Sequence, residues 1–336
     1  MTTVLLTGGL GYIGSHIAVE LLNSNDEYTV IAIDNLENAS LDMVNTIKSN
    51  KTNNVSQNKF YFFNIDVKDT SDLDNLFQNN KIDIVIHLAG YKSVGESITD
   101  PILYYNNNLV STINLITTMK KHNCKNIIFS SSATVYGNAS VPYNEYSPVG
   151  VGLTNPYGKT KYMQEEMLRD LYFSDNSWNV IILRYFNPVS QKNKSLKEKT
   201  NGIPNNLFPY LVKVHNKEID ILQIYGNDYN TIDGTCVRDF IHVLDLANGH
   251  IQVCNYILTN KPKNVGLKTY NLGTGKGISV KQLITAFEEV NNTTLNYKFV
   301  KRREGDLEIS YADTSLIYKD IGWVAKYNVN NMVKLD

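Results

Sequence analysis

Thr7-Gly8-Gly9-Leu10-Gly11-Tyr12-Ile13-Gly14 is the stretch of sequence that sets the fold class of this chain. It follows a short apolar run, Val4–Thr7, and precedes a helix-like stretch, Ser15–Asn23. Glycines at the first, fourth and seventh positions after the threonine permit a tight turn and close approach of a pyrophosphate, and the helix start stabilises that anion. A second apolar run ends in Asp34, about twenty residues beyond the loop, where dinucleotide-binding folds place a ribose-binding carboxylate. The alternative, an ordinary glycine-rich turn, does not explain this strand, loop and helix context.

Short apolar runs alternate with helix-like stretches through the first half of the chain. Such runs, separated by helices, are typical of a parallel sheet that is covered on both faces and has right-handed connections. The pattern therefore predicts an α/β, Rossmann-type doubly wound parallel sheet. The predicted strands are Val4–Thr7, Tyr28–Asp34, Phe60–Ile65, Ile82–Ala89, Asn126–Ser130 and Val180–Tyr185, and the predicted helices include Ser15–Asn23 and Tyr104–Lys121.

The alternation of apolar runs and helix-like stretches becomes less regular after Asn187. We therefore expect a dinucleotide-binding domain over 1–187, with returning segments from about 236–275, and a smaller C-terminal α/β lobe over 188–336 that mainly binds substrate. In this lobe Ser279 is placed to cap a helix that runs to Val290. The other predicted elements are strands over Ile219–Tyr225 and Tyr297–Val300, preceded by the segment Ile203–Asn216, and, in the first domain, a solvated loop over Lys48–Lys59.

Bulk composition narrows the class of protein. The 336 residues carry a net charge of −1, which gives no reason to expect nucleic acid or an anionic membrane as the partner. The three cysteines are odd in number and lack metal-ligand spacing, so we predict a reducing compartment and no metal site. There is no apolar run of spanning length, and the chain enters a strand without a leader, which favours a soluble cytoplasmic protein.

Three polar side chains are suited to transfer a proton to and from the hydroxyl group of an alcohol. Tyr157 and Lys161 are four residues apart and share a face if they lie on a helix. Free tyrosine titrates near ~10, and a neighbouring ammonium and an oxidised nicotinamide both favour the phenolate, so Tyr157 can act as a base near neutral pH. Ser132 is expected at the carboxyl edge of the sheet, within reach of the reacting oxygen. The same spacing at Tyr297 and Lys301 shows that the pair alone is weak evidence.

The nicotinamide cofactor is predicted to be NAD. A carboxylate at Asp34 accepts from both ribose hydroxyls of NAD and repels the 2′-phosphate of NADP. The Tyr157 pair differs from its duplicate because it follows a serine-rich strand end and a helix start with a proline at Asn155-Pro156. Together the loop and the pair predict an NAD enzyme that acts on alcohols.

With these residues, the chain resembles the extended short-chain dehydrogenase/reductase family and, within it, the UDP-galactose (UDP-glucose) 4-epimerase family. The resemblance implies reversible C4 epimerisation of UDP-hexoses in galactose metabolism, through a 4-keto intermediate and with tightly bound NAD. It extends over nearly the whole chain and rests on seven blocks in order. These are Thr7–His16, Val85–Ser97, Phe129–Gly137, Arg184–Pro188, Gly202–Tyr210, Gly226–His242 and Arg302–Asp306.

The resemblance also assigns roles to individual residues. It makes Tyr157 the acid/base, Lys161 its electrostatic partner and Ser132 the hydroxyl helper. The expected NAD contacts are Gly8, Gly11, Tyr12, Ile13, Gly14, Asp34, Asn35, Asp66, Val67, Leu88, Ala89, Gly90, Lys92, Asn107, Tyr157, Lys161, Tyr185 and Pro188. Of these, Asp66 and Val67 are expected to contact the adenine, and Tyr185 and Pro188 to lie near the nicotinamide. The expected UDP-sugar contacts are Ser132, Asn187, Asn206, Leu207, Tyr225, Arg238, Arg303, Asp306 and Ser310.

The two arginines of the substrate set have an ordinary alternative role. A guanidinium matches a diphosphate in a bidentate way, which favours binding by Arg238 and Arg303. Outside these motifs, surface salt bridges would be the better interpretation. The family resemblance also implies a homodimer formed by the helices around Tyr104–Lys121 and Tyr157–Tyr172. In the second helix the near-helical stripe Met163, Met167, Leu168 and Leu171 could equally serve the core alone.

The chain departs from the family pattern at three places. The segment Ser190–Lys199 replaces a loop that usually contains Gly, His and Pro; we interpret it as a drifted surface loop, with altered domain closure and slow turnover as the alternative. The chain stops at Asp336, soon after Trp323, so we expect a shortened last helix and tail that lower stability without touching the catalytic set. Ser310 stands where some members have a bulky tyrosine, which predicts activity on UDP-GlcNAc and UDP-GalNAc as well.

Three rival functions remain at this point. A 4,6-dehydratase on the same fold needs acidic residues beside the catalytic serine to expel water, and Ser132–Tyr136 contains none. An epimerase strict for UDP-N-acetylhexosamines or UDP-uronic acids is the second. A non-catalytic NAD-binding sensor is the third, although such proteins typically lose the Tyr and Lys pair that this chain keeps.

Overall fold

The computed structural model describes residues 1–52, 57–192, 195–196, 204, 206–260, 262–303 and 305–335. In chain order the strands are β1 (Thr2–Thr7), β2 (Tyr28–Asp34), β3 (Lys59–Asn64), β4 (Ile84–His87), β5 (Asn126–Ser132), β6 (Asn179–Tyr185), β7 (Asn187–Val189), β8 (Leu222–Tyr225), β9 (Val237–Arg238), β10 (Phe240–His242), β11 (Leu267–Leu272), β12 (Ile278–Ser279), β13 (Tyr297–Val300) and β14 (Ile309–Ser310). The helices are α1 (Tyr12–Leu22), α2 (Asp42–Ser49), α3 (Thr70–Asn79), α4 (Val94–Thr99), α5 (Pro101–Lys121), α6 (Pro156–Ser174), α7 (Leu207–His215), α8 (Val243–Thr259), α9 (Val280–Val290), α10 (Ser315–Ile321) and α11 (Val329–Val333).

A seven-stranded parallel sheet forms the centre of the first domain. Its strand order is β11-β6-β5-β4-β1-β2-β3, and every neighbouring pair is parallel. The order reverses between β1 and β4, which is the topological switch point where doubly wound folds bind dinucleotides. The predicted Rossmann-type fold is confirmed, and each of the six expected strands is present with shifts of a few residues at its ends.

Alternation along the strands explains why they read as continuous apolar runs. Val4 and Leu6 face the core layer that contains α1, α2 and α8, and Leu5 faces the layer that contains α3, α5 and α6. All three side chains are fully buried. Because helices cover both faces of the sheet at its central strands, the interiors of β1, β2 and β4 are mainly apolar.

The second half of the chain builds a smaller lobe and returns two elements to the sheet. Strand β11 becomes its edge next to β6, and helix α8 packs beside α1. The lobe itself contains the parallel pair β8 and β13 and a core that α7, α9 and α11 share. Ser279 caps α9 as predicted, in a reciprocal capping box with Gln282. The last described helix, α11, buries Met332 and Val333 in this core.

The structure corrects the boundaries of two predicted elements. Lys48–Lys59 is not a solvated loop throughout, because it begins in α2 and ends in β3, and Asn58 is only 2% exposed. The Asn58 side chain bonds the backbone of Tyr28, Leu21, Leu22 and Ser24. The strand predicted at 219–225 shortens to β8. The segment 203–216, which the sequence assigns to no element type, contains α7, and residues 203 and 205 lie outside the described residues.

Among the described residues, no helix combines the length and the apolar character that crossing a membrane requires.

Candidate active site

Two glycines of the loop lie so close to neighbouring backbone atoms that a side chain at either position would clash. Gly8 has a φ of +66°, and a Cβ there would lie 3.0 Å from the backbone of Ala89. A Cβ on Gly14 would meet Gly8 O and lie 2.8 Å from Gly9 Cα. Helix α1 then starts after Gly11, which provides no side-chain cap. Backbone N–H groups at an uncapped helix start are a suitable site for a pyrophosphate, so this cradle fits a dinucleotide.

Asp34 lies at the carboxyl end of β2, directly beside this loop. Its Oδ2 accepts from Leu10 N–H at 3.2 Å and its Oδ1 accepts from Leu36 N–H at 2.9 Å. Burial raises the pKa of this carboxyl, and the two backbone donors oppose that shift. Each oxygen keeps a lone pair for a ribose hydroxyl.

The residues expected to contact the adenine gather at the end of the next strand. Asn35 Nδ2 donates to Asp66 Oδ2 at 3.2 Å, which joins the segments after β2 and β3. Asp66 Oδ1 in turn accepts from Lys68 N–H at 2.8 Å, and Val67 is buried beside it. Thus the structure brings Asp34, Asn35, Asp66 and Val67 to one edge of the sheet.

The segment after β4 links the cofactor cradle to the catalytic helix. Leu88 N–H and Ala89 N–H both donate to Thr7 Oγ1 at 3.2 Å, at the end of β1. A Cβ on Gly90 would lie 3.9 Å from Lys161 Nζ. Cofactor and proton-transfer residues are therefore neighbours across this segment.

Helix α5 fixes the same segment from behind. Asn108 is fully buried; its Oδ1 accepts from Tyr91 N–H at 2.8 Å and its Nδ2 donates to Thr160 Oγ1 at 3.0 Å. Asn107, expected at the cofactor, donates from Nδ2 to Asn108 Oδ1 at 3.2 Å. Lys92 places its Nζ 5.9 Å from the centre of the Tyr12 ring. Sequence reasoning missed Asn108, because nothing in a run of three asparagines shows which one is buried.

Tyr157 and Lys161 lie one turn apart on α6, and Ser132 is the last residue of β5. The helix start is fixed by Asn155, whose side chain accepts from Gly158 N–H at 2.8 Å. Lys161 Nζ donates to Ser130 O at 2.7 Å. The Tyr297 and Lys301 pair behaves differently, because Tyr297 is in strand β13 and is 39% exposed.

The protein by itself does not lower the pKa of Tyr157. Burial raises the pKa of this phenol, and the hydrogen bond from the Ser132 side chain opposes the shift. Burial also lowers the pKa of Lys161 to about 7. Burial therefore opposes the charged form of both groups, and the Ser132 hydrogen bond, a charged Lys161 and the positive charge of an oxidised nicotinamide are the influences that favour the phenolate.

Tyr185 ends β6 on the side where the nicotinamide is expected. Its hydroxyl lies 2.5 Å from His250 Nε2, and His250 Nδ1 lies 2.8 Å from Leu246 O. Burial lowers the pKa of His250 to about 4, so the ring is neutral; Nδ1–H donates to the carbonyl and Nε2 accepts from the phenol. Sequence reasoning did not identify His250. Pro188, also expected near the nicotinamide, lies in β7.

Ser132 ends β5, and the other residues expected to bind the substrate lie in β7 and in strands, loops and one helix start that follow it in the chain. Ser310 in β14 is in register with Arg238 in β9, and Arg238 NH2 lies 3.4 Å from Asp306 Oδ1. The Arg303 guanidinium covers the Tyr225 ring at 4.1 Å from its centre. Its neighbour Arg302 instead forms an exposed ion pair with Asp228 at 2.7 Å. Asn187 lies in β7, Asn206 precedes α7 and Leu207 is the first residue of that helix.

The described part of the divergent loop is attached to the cofactor helix. Tyr12 OH donates to Ser190 O at 2.5 Å, and Lys192 N–H donates to His16 Nε2 at 3.1 Å. Lys192 Nζ also pairs with Glu20 at 2.6 Å. Of the predicted surface loop Ser190–Lys199, residues 193, 194 and 197–199 lie outside the described residues. The described start of this loop packs on α1 rather than projecting into solvent.

Thr134 is a further residue that the sequence did not single out. Its Oγ1 is buried without a hydrogen-bond partner among the described residues. It lies under the start of α6, because a Cβ on Gly158 would be 3.4 Å from Thr134 Cβ. A buried hydroxyl beside Ser132 and Tyr157 with spare hydrogen-bonding capacity is suited to a substrate hydroxyl.

Comparison with known proteins agrees with this geometry. The model of the family described as GDP-mannose 4,6 dehydratase matches residues 5–335. The chain is 45% identical to UDP-glucose 4-epimerase of Bacillus subtilis over 331 residues, 98% of this chain and 94% of that protein. The UDP-glucose 4-epimerase of Bifidobacterium longum, solved in complex with NAD+ and UDP, is 46% identical, with a TM-score of 0.91 and coverage of 99% and 96%. The UDP-Glc/GlcNAc 4-epimerase of Campylobacter jejuni is 33% identical, with a TM-score of 0.82 and coverage of 99% and 97%.

Proposed function

Because the chain belongs to the UDP-glucose 4-epimerase family, we propose that it interconverts UDP-glucose and UDP-galactose by inversion at C4, with NAD held tightly through turnover. The observation that carries the proposal is the group formed by the buried Tyr157 and Lys161 and the half-buried Ser132, beside a dinucleotide cradle. The segment Ser132–Tyr136 contains none of the acidic residues that a dehydratase needs, so loss of water is not favoured.

The chain's own residues supply proton transfer and anchoring. Bound NAD supplies the acceptor and then the donor of the C4 hydride. Tyr157 accepts the proton of the C4 hydroxyl and later returns it to the 4-keto sugar, while Ser132 binds the same oxygen and Lys161 supports the phenolate. Arg238 and Arg303 hold the diphosphate, so the ketose can turn over without leaving the site.

Turnover of UDP-galactose by the purified protein, without added NAD, tests this function. We expect UDP-glucose as the product. Product that forms only after NAD is added would remove the claim of tight retention. A product lighter by one water would indicate a dehydratase, and NAD binding without any product would indicate a sensor.

We also propose that 2-acetamido sugars are substrates, because Ser310 leaves room beside the bound hexose. Its small side chain is buried next to Arg238 and hydrogen-bonds Tyr143. Ser310→Tyr should therefore lower UDP-GalNAc turnover at least about tenfold, the factor that corresponds to roughly 1.4 kcal/mol of steric cost, and should preserve UDP-galactose turnover. Ser310→Ala, which stays small, should preserve both activities. Unchanged UDP-GalNAc turnover in Ser310→Tyr would disprove the pocket, and its absence in the parent protein would disprove the wider substrate range.

A homodimer is proposed through the outer faces of α5 and α6. The predicted stripe on α6 divides: Leu168 and Leu171 pack on the core, whereas Met163 is 41% exposed. On α5, Ile102 and Ile113 are exposed, at 72% and 45%. Exposed apolar side chains on two adjacent helices indicate a contact surface for a second copy of this chain.

Ile113→Glu should convert the proposed dimer to a monomer, because it places a charge in an apolar contact. Sedimentation velocity measures this change directly. Ile221→Glu is the matched control, since Ile221 is similarly exposed, at 41%, but lies in the second lobe. A parent protein that sediments as a monomer, or a dimer that survives Ile113→Glu, would contradict the proposed surface.

We also propose a role for each part of the chain and a cellular compartment for the protein. Residues 1–187 with returning segments from about 236–275 bind NAD, and 188–336 mainly bind the UDP-sugar. The cytoplasm is the proposed compartment, supported by three free, buried cysteines among the described residues.

A further inference from the structure

A buried ion pair lies behind the catalytic helix, and the chemistry above does not use it. The side chains of Glu165 and Arg184 are 0% and 1% exposed. Arg184 donates from Nε to Glu165 Oε1 at 2.9 Å and from NH2 to Oε2 at 2.7 Å. Arg169 NH2 adds a longer contact to Oε2 at 3.4 Å. Bidentate pairing fixes the carboxylate in one orientation and keeps it charged.

Three consecutive serines connect this carboxylate to the reacting groups. Ser130 O accepts from Lys161 Nζ at 2.7 Å. Ser131 Oγ donates to Glu165 Oε1 at 2.5 Å. Ser132 hydrogen-bonds Tyr157. Each serine at the end of β5 therefore holds one residue of α6, and Glu165 supplies the middle attachment.

Glu165 is also placed to act on Lys161 by charge. The two residues are four apart on α6 and so lie on the same face, one turn from each other. Among the described residues, no carboxylate forms an ion pair with the Lys161 ammonium. Burial lowers the pKa of Lys161 to about 7 even though the Glu165 carboxylate raises it. Without that carboxylate, less of the ammonium would remain near neutral pH.

We propose that Glu165 is a positioning residue of the epimerase reaction: clamped by Arg184 and Ser131, its carboxylate keeps Lys161 charged and holds the strand end that carries Ser132. This inference rests on the proposed function. It gives the buried pair a role beyond stability, since a buried ion pair by itself is weak evidence of stabilisation.

Burial also acts on the other titratable groups that face this cluster, and it raises the pKa of the Glu145 carboxyl, whose backbone carbonyl accepts from Arg184. Burial lowers the pKa of His87, in β4, to about 3. Burial raises the pKa of Tyr185, in β6, and of Tyr136, whose ring lies 4.7 Å from the Arg184 guanidinium. A change in the pH profile near neutrality is therefore attributed to Lys161 only where the Lys161 titration itself moves.

The test is the pH dependence of kcat/KM in Glu165→Gln. Removing the negative charge makes Lys161 lose its proton at lower pH, so the alkaline limb should move down by about one pH unit. Glu166→Gln is the matched control: it removes the same charge from the adjacent residue, whose side chain is 49% exposed and pairs with Arg169. Because solvent screens that charge, its profile should match that of the parent protein.

A second variant guards against misfolding. Glu165→Gln leaves the Arg184 cation unpaired, whereas Glu165→Gln with Arg184→Met removes both buried charges, a change that folds tolerate better. The double variant still lacks the carboxylate, so its limb should also move down. A folded variant that loses activity equally at all pH values, with the limb unchanged, would overturn the proposal and leave Glu165 purely structural.

Heteronuclear NMR of ¹³Cε-labelled lysine gives a readout that needs no turnover, with Lys161 assigned through Lys161→Met. The Lys161 titration should fall by about one pH unit in Glu165→Gln and stay in place in Glu166→Gln. An unmoved titration in Glu165→Gln would overturn the proposal. A protein that shows the shift but has no epimerase activity would instead show that the proposed function is wrong.

Discussion

Tyr157→Phe should lower kcat for UDP-galactose by about 10²–10⁴-fold, the range that a single general acid–base group contributes. The substitution removes the phenolic oxygen and leaves the ring, which is 9% exposed, in its packing environment. Ser132 and Lys161 remain, but neither is placed to take over the proton: Ser132 lacks a base of its own, and Lys161 is bonded to Ser130 O at 2.7 Å. The epimerisation rate under saturating substrate measures the effect.

Tyr297→Phe is the matched control for this prediction. Tyr297 and Lys301 have the same spacing as the catalytic pair, but Tyr297 lies on strand β13 and is 39% exposed. Its loss should leave kcat unchanged. If Tyr157→Phe retained more than about a tenth of the parent rate with unchanged structure, another group would have to be the acid/base.

Gly14→Ala should remove most of the bound NAD. The added Cβ would meet Gly8 O and lie 2.8 Å from Gly9 Cα, and both are backbone atoms that cannot move without opening the loop. Overpacking of this kind costs typically about 1–3 kcal/mol, which corresponds to a loss of NAD affinity of about 5- to 160-fold if it falls on the bound state. The NAD content of the purified protein, measured after denaturation, and its affinity for added NAD test the effect.

Gly95→Ala serves as the control, because a Cβ at Gly95 has no heavy atom within 4 Å. Alanine is also the better helix former, so this variant in α4 should keep its NAD and be at least as stable. Full NAD occupancy in Gly14→Ala would contradict the assignment of this loop as the cofactor cradle.

The parts of the fold that could be predicted from sequence are those that local sequence patterns determine. Local sequence is enough to identify the apolar runs at β1 and β2, the glycine loop between them and Asp34. The parallel sheet and its dinucleotide-binding edge follow from these features. The Ser279 cap was equally local. Strand ends were less certain, since β4 is shorter than its apolar run suggests.

The parts that could not be predicted depend on burial between distant segments. Asn58 reads as a loop residue, yet four backbone contacts from other segments bury it. Glu165 reads as an exposed helix residue until Arg184, nineteen positions later in the chain, lies across it. The sequence also does not show whether the pKa of Tyr157 is raised or lowered. The spacing identifies the neighbouring ammonium but not how deeply the two groups are buried.

The most direct test of C4 epimerisation through a 4-keto sugar is turnover of UDP-galactose in deuterated water, without added NAD, followed by NMR of the product. The C4 hydrogen moves as a hydride, and only the hydroxyl proton passes through Tyr157 to solvent. The account therefore predicts UDP-glucose that retains protium at C4. Deuterium at C4 would show deprotonation at carbon instead, and no UDP-glucose even after NAD is supplied would contradict the epimerase assignment altogether.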